Sequence, residues 1–246
     1  LSLNPERLGA VFQEAGLYDF FLPDSLLNLC SFTQKMLEIN QTLNLTRWTQ
    51  EEDVITYHLL DSAYGLPILR ELHQKDLWEK PRWLDLGTGC GFPGAVLASA
   101  FPSWEITFLD SVGKKIKALE ECVKIAGWQS LLVNIRAEEL GKSPKTRESW
   151  NGITARAVAD FRVVLEYAMP LLTIGGYLVN WMTQDQLEII EKSTHALNEL
   201  KAQVIKKISY QLPHSRNPRW IVVVEKMGTT SNLYPRSVGK AMKYPL

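Results

Sequence analysis

The residues with the clearest chemical potential in this chain stand between positions 83 and 110. The stretch Trp83-Leu84-Asp85-Leu86-Gly87-Thr88-Gly89-Cys90-Gly91-Phe92-Pro93-Gly94 leaves an apolar run that reads as a strand and enters one that reads as a helix. Glycines in that place let the backbone turn sharply and let a ligand lie against it with no Cβ in the way. Asp110 ends the next apolar run, about twenty residues on, where a carboxylate can accept hydrogen bonds from ribose hydroxyls. The plainer alternatives are a glycine turn without a ligand and, for Asp110, a helix cap assisted by Ser111.

Asp85 narrows the class of ligand. It stands two residues before Gly87, and a carboxylate there repels the pyrophosphate of a dinucleotide. A cofactor carrying a sulfonium and an ammonium and no phosphate tolerates that charge, and S-adenosylmethionine has those properties. A turn or helix N-terminal acid is the competing role for Asp85. Further candidates follow from topology, because open parallel sheets bind ligands at the carboxyl ends of their strands. Ala137 and Glu138 are expected at the end of a third strand, offering a backbone N–H and an acid to adenine; Glu138 and Glu139 equally fit surface acids at a helix start. Arg156 ends a fourth apolar run and must be paired or solvated there. It can hold Asp85 or another acid, or touch cofactor or substrate.

The elements that would position these residues change character along the chain. Up to about residue 78 the pattern is helical. Leu8, Val11, Phe12 and Ala15 follow Pro5; Leu26, Leu29, Phe32, Met36, Ile39 and Leu43 follow Pro23. Val54, Ile55, His58, Leu59, Ser62 and Leu66 follow three acids. From residue 79 onward short apolar runs alternate with amphipathic stretches. Strands are expected at 82–86, 105–110, 131–137, 152–156 and 177–182, and helices at 95–100, 112–126 and 162–172. A helical face at 187–200 precedes a closing antiparallel pair at 204–212 and 220–225. The order implies an α/β fold with a mostly parallel sheet covered on both faces, here residues 79–246, preceded by a helical region, residues 1–78.

Bulk properties are those of an ordinary globular chain. Its 246 residues are 46% hydrophobic and 22% charged, enough for a sizeable core. Cys30, Cys90 and Cys122 lie far apart and form neither a disulfide pattern nor a metal-ligand spacing. No signal peptide or membrane-length apolar run is evident, so a cytoplasmic protein is expected. Net charge is +0, but it is unevenly spread. The first sixty residues are acidic, whereas Lys201, Lys206, Lys207, Arg216, Arg219, Lys226, Arg236, Lys240 and Lys243 face only Glu225. A basic tail fits either a phosphate-binding face or a solvated surface.

These motifs together resemble one family, the bacterial 16S ribosomal RNA guanine-N7 methyltransferases, also called the glucose-inhibited-division B family. The resemblance runs from Asn44-Leu45-Thr46 and His58-Leu59-Leu60-Asp61-Ser62 through the glycine loop with its Phe92-Pro93-Gly94 ending. It continues through Leu109-Asp110-Ser111 with Lys114 and Lys115, Ala137-Glu138 and Ala155-Arg156-Ala157 to Tyr234-Pro235-Arg236 and Pro245-Leu246. It implies a class I S-adenosylmethionine methyltransferase fold, Rossmann-like and seven-stranded. It implies methylation of N7 of a guanine in the 530 loop of 16S ribosomal RNA, with the small ribosomal subunit or its assembly intermediate as partner; a monomer is expected. It assigns cofactor contacts to Gly87, Phe92, Ala137, Glu138 and Arg156, beside Gly89 of the loop and Asp110 at the end of the next apolar run. Arg236 and Lys240 are the candidate RNA contacts. Met182-Thr183 departs from the Lys-Gly pair that members often carry after the fifth strand.

The chemistry agrees with what is missing from the motifs. Guanine N7 has an in-plane lone pair and no proton, so alignment and exclusion of water suffice, with no general base. A stacking face for the base is available from Trp181, Phe161 or Phe92, each of which also fits the core. His58 and Asp61 lie one helical turn apart and suggest a His–Asp contact. Two other classes remain open: a nicotinamide-dependent oxidoreductase using the same glycine turn, and a non-catalytic RNA-binding protein of ribosome assembly.

Overall fold

The computed structural model describes residues 3–246. Proline in the first turn opens both early helices, α1 (Pro5–Glu14) and α2 (Pro23–Leu43), because its fixed φ suits a helix and its missing N–H would have no partner there. α2 stops at Asn44, whose φ of 48° places it in the left-handed region that ends helices. Residues 51–63 then form one helical run of three parts: α3 (Glu51–Val54), a π turn (Ile55–Leu60) and α4 (Asp61–Ala63). In the π turn the Asp61 N–H reaches back five residues to the Thr56 carbonyl, a widened ladder that recurs at functional positions. α5 (Leu66–Asp76) completes this part.

The rest alternates as expected: β1 (Arg82–Leu86), α6 (Gly94–Ala100), β2 (Glu105–Leu109), α7 (Gly113–Ile125), β3 (Leu131–Val133), α8 (Ala137–Lys142), β4 (Trp150–Arg156), α9 (Phe161–Ala168) and β5 (Leu172–Thr183). α10 (Gln184–Glu191), α11 (Thr194–Glu199), β6 (Ala202–Tyr210), β7 (Arg219–Lys226) and the short α12 (Lys240–Lys243) follow. The seven strands form one sheet in the order β3-β2-β1-β4-β5-β7-β6. β1 to β5 pair in parallel, and β7 runs antiparallel to both β5 and β6. This is the expected mostly parallel, seven-stranded α/β architecture.

Three elements differ from the sequence reading, each for a local reason. β3 is only three residues long, because the Asn134 side chain donates to the Asp110 carbonyl and Glu139 accepts from the Arg136 N–H, which starts a helix instead. β5 begins ten residues after Arg162, at Leu172, and passes through Gly175 at φ 79°, with a register shift against β4. The helical face at 187–200 is two helices, since Ser193 Oγ donates to the Ile189 carbonyl at 2.7 Å where the chain breaks.

Side chains alternate across the central strands into two buried cores. Trp83, Phe108, Tyr177 and Val179 face the side covered by α6, α7 and the N-terminal helices. Leu84, Leu86, Ile153, Leu178 and Val222 face α8 and α9. The boundary near residue 79 lies in the loop between α5 and β1, yet Phe12, Leu29, Phe32 and Met36 of the helical part belong to the first of these cores. Phe32 is fully buried and packs against Phe92, Phe108 and Trp128. Phe32→Ala is therefore expected to lower the unfolding free energy of the whole chain by about 3–5 kcal/mol, read from urea unfolding followed by tryptophan fluorescence. A loss confined to a separate early transition would mean that the helical part folds on its own.

Candidate functional site

The loop between β1 and α6 is organised around a buried carboxylate. Asp85 is 1% exposed. Its Oδ2 accepts from Thr88 Oγ1 at 2.5 Å and from the Gly94 N–H at 3.1 Å, and its Oδ1 accepts from Thr154 Oγ1 at 2.8 Å. Burial pushes its pKa up, and these three hydrogen bonds oppose the shift. The expectation that Asp85 faces the ligand's positive charge is thus corrected: it pins the loop and sits at the start of α6. Gly91 shows why the loop needs glycine. Its φ is 100°, and a Cβ there would lie 2.5 Å from the Phe32 ring.

Two cavities open on this loop and share Gly87. The first, about 230 Å³, lies over the strand ends. Leu109, Ile135, Val158 and Met242 supply apolar walls, and Asp110, Ala137 and Glu138 supply polar groups. Asp110 Oδ2 accepts from the Gly89 N–H at 3.0 Å and Oδ1 from the Val112 N–H at 2.8 Å, so it joins the loop to the start of α7 while lining the cavity. Ala137 and Glu138 reach the cavity from the first turn of α8, not from a strand end as expected. Glu138 is 3% exposed, and its Oε1 accepts from Tyr167 Oη and from the Gly239 N–H. The surface-acid reading therefore fails for Glu138.

The second cavity, about 390 Å³, is lined by Thr46, Arg47, Trp48 and Tyr57 from the helical part and by Gly89, Cys90, Phe92, Lys115, Arg156 and Arg219 from the sheet part. Arg156 ties the two sides together. Its Nη1 donates to Asp61 Oδ2 and to the Tyr57 carbonyl, both at 2.8 Å, and its Nη2 lies 3.2 Å from His58 Nδ1. Its acid is Asp61, not Asp85, and His58 and Asp61 meet through it and not directly. A guanidinium only donates, so His58 Nδ1 carries a lone pair and the imidazole proton sits on Nε2, 2.7 Å from Thr46 Oγ1. Burial, followed by the Arg156 charge, lowers the His58 pKa to about 3. Burial also pushes the Cys90 thiol up, so the one cysteine on the cleft is held protonated.

Other expectations are redistributed. Phe92 touches the second cavity but is 3% exposed, stacked on His58 and edge-on to Phe32. Trp181 and Phe161 are buried in the cores and offer no stacking face. The aromatic face on the cleft belongs to Trp48, stacked on Tyr57 at 4.3 Å with the Arg47 guanidinium 4.4 Å from its ring. Neither was singled out, and the only available signal was an Arg-Trp pair in a loop following the Asn44-Leu45-Thr46 segment. Arg236 is corrected from RNA contact to structural anchor: Nε and Nη2 grip the Glu166 carboxylate, which is 1% exposed in the side chain. Lys240 is exposed at the start of α12. The tail also supplies Met242 to the first cavity, a role its charge pattern did not suggest.

A family model described as GidB, rRNA small subunit methyltransferase G, matches residues 26–216. A ribosomal RNA small subunit methyltransferase G of Alkaliphilus oremlandii is 36% identical over 227 residues, 92% of each chain. The protein of that name from Lactobacillus johnsonii is 34% identical, covering 99% of this chain and 100% of its own. This chain belongs to the GidB family. Among solved structures, a protein of Galdieria sulphuraria described as a sarcosine dimethylglycine methyltransferase superposes with a TM-score of 0.53 at 14% identity. It covers 69% of this chain and 86% of that one. The [4+2]-cyclase SpnF superposes with a TM-score of 0.50 at 11% identity, over 68% of this chain and 81% of its own. Two such different activities on one fold mean that the GidB site must be argued from its residues.

The buried histidine of this GidB chain gives a pH test. An unfolded His58 takes up a proton near its ordinary 6.5, the folded one only near 3. Between those values the unfolded state binds more protons, so this contribution to stability falls as pH falls, by at most ~1.4 kcal/mol per pH unit. In urea unfolding, the stability gap between the native protein and His58→Gln is expected to narrow steadily from pH 6.5 toward pH 4. A gap independent of pH would show that His58 is not held neutral.

Proposed function

We propose that this chain methylates N7 of a guanine in the 530 loop of 16S ribosomal RNA, using S-adenosylmethionine. The observation that carries the reading is the pair of cavities joined at Gly87, one suited to a nucleoside and the other to an RNA base. The first has flat apolar walls for a heterocycle, carboxylates at Asp110 and Glu138 for ribose hydroxyls and an amino group, and the Ala137 N–H for a ring nitrogen. Gly87 and Gly89, with φ of 65° and 60°, present bare backbone between the cavities. Gly87 and Phe92 border the rest of the ligand, and Arg156 orders the wall beside it. These groups fit S-adenosylmethionine, which supplies an electrophilic methyl group on a sulfonium.

The second cavity fits the nucleic acid. Tyr57, Trp48 and the Arg47 guanidinium form a stacked wall against which a base can lie, and Lys115 and Arg219 line the cavity to meet phosphates. N7 faces the deep, narrow major groove of an RNA duplex, so a base from a loop is the accessible substrate. Bound there, the donor would supply its methyl group to the N7 lone pair, and the sulfonium's positive charge would pass to the base. No proton has to move, in keeping with a neutral His58 and a protonated Cys90. The chain's contribution is alignment and exclusion of water. A dinucleotide is disfavoured, because the first amide of α6 already donates to the Asp85 carboxylate where a pyrophosphate would bind.

Calorimetric titration with S-adenosylhomocysteine tests the cofactor half. Binding is expected to the native protein and to be weakened at least ~10-fold in Ala137→Trp, which fills the first cavity, while NADH gives no heat. Small-subunit RNA from cells lacking the protein should lack one N7-methylguanine. Undiminished binding by Ala137→Trp would place the ligand elsewhere, and an unchanged nucleoside profile would exclude this modification.

A further inference from the structure

Thr46 lies in the loop between α2 and α3, half-buried, on the wall of the second cavity. Its backbone is held at both polar atoms by the buried Asn40 side chain. Asn40 Nδ2 donates to the Thr46 carbonyl at 3.0 Å, and Asn40 Oδ1 accepts from the Thr46 N–H at 2.8 Å. The hydroxyl oxygen is approached by two further groups, His58 Nε2 at 2.7 Å and the Trp48 N–H at 3.1 Å.

The direction of each hydrogen bond follows from the one group that cannot accept. Arg156 donates to His58 Nδ1, so the neutral imidazole carries its proton on Nε2 and donates it to Thr46 Oγ1. The Trp48 amide donates to the same oxygen. Both lone pairs of the hydroxyl are then engaged, and its own O–H is left as a donor. Among the described residues no acceptor stands within hydrogen-bond distance to receive it. A donor fixed on a cleft wall asks for an acceptor on whatever enters the cleft.

We infer that Thr46 selects the target base by donating its hydroxyl proton to O6 of the guanine. This rests on the proposed N7 methylation. O6 and N7 lie side by side on the same edge of guanine, so a base presenting N7 to the methyl donor also presents O6 to its surroundings. Adenine carries an amino group at that place, and two donors would then oppose each other. A site built to hydrogen-bond a group rejects the analogue that lacks it, because its own polar group is left unpaired. His58 and Arg156 act as positioning residues, since they set the polarity of the hydroxyl without touching the base.

The other acceptor that could claim this proton is the carboxylate of the cofactor, and the test separates the two. Small-subunit particles are reconstituted from RNA carrying guanine, inosine or 2-aminopurine at the target position. Inosine keeps O6, and 2-aminopurine keeps N7 without O6. The native protein is expected to methylate guanine and inosine with similar kcat/KM and 2-aminopurine about 10- to 100-fold more slowly. Thr46→Val should bring the guanine to 2-aminopurine ratio close to one, and Thr46→Ser should restore it, with S-adenosylhomocysteine affinity unchanged in both.

Equal rates on guanine and 2-aminopurine by the native protein would overturn the assignment without any variant. A native ratio retained in Thr46→Val would overturn it too, and a fall in S-adenosylhomocysteine affinity there would give the proton to the cofactor instead. Absence of any methylation of guanine by the native protein would instead remove the underlying N7 reading.

Discussion

The guanidinium of Arg156 reaches from the rim of the parallel sheet into the π turn of the helical part and occupies a carboxylate, a carbonyl and an imidazole nitrogen at once. Burying such a cation is unfavourable unless it is paired and hydrogen-bonded. The π turn and the first residue of α4 supply three partners. Asp61, only 2% exposed, answers the charge and also accepts from Tyr210 Oη at 2.6 Å. A buried pair of this kind is weak evidence for net stability, but removing either member leaves an uncompensated charge, at a cost of about 3–5 kcal/mol. Its contribution is arrangement: it fixes Tyr57, His58 and, through His58, the loop that carries Thr46 and Trp48.

Asp85 does comparable work on the other side of the glycine loop. Three short polar contacts hold a carboxylate among apolar side chains, and the loop's path between β1 and α6 follows from them. The ligand-facing surface is then left to backbone and to groups anchored elsewhere. Asp85 thus lies behind the loop and shapes it, while Arg156 stands on the wall of the second cavity with its charge already answered by Asp61.

Much of this arrangement was legible in the sequence where the signal was local. Strand β1, the glycine loop, helix α7 and the position of Asp110 follow from hydrophobic period and from the few backbone conformations glycine alone adopts easily. The fold class followed from alternation. What escaped was set by tertiary contact. Whether Asp85 faces a ligand or the core depends on Thr154, 69 residues away. The same holds for Arg236, which the sequence places in a tail rich in cations and whose partner Glu166 lies 70 residues back. Trp48 and Tyr57 were hidden because an isolated aromatic in a helical region is by default read as core. Ala137 was assigned to a strand because the apolar run from Leu131 continues past the point where Asn134 breaks the ladder.

The tail has a consequence for the lifetime of a complex. Met242, more than half exposed, forms part of the first cavity, and the segment that bears it is moored by Gly239 to Glu138 and by Arg236 to Glu166. A nucleoside filling that cavity would cover apolar surface of Met242, which favours the tail in the place it holds here. Ligand and tail therefore fasten one another. Loosening either mooring is thereby expected to weaken the hold on a nucleoside as well as on the tail.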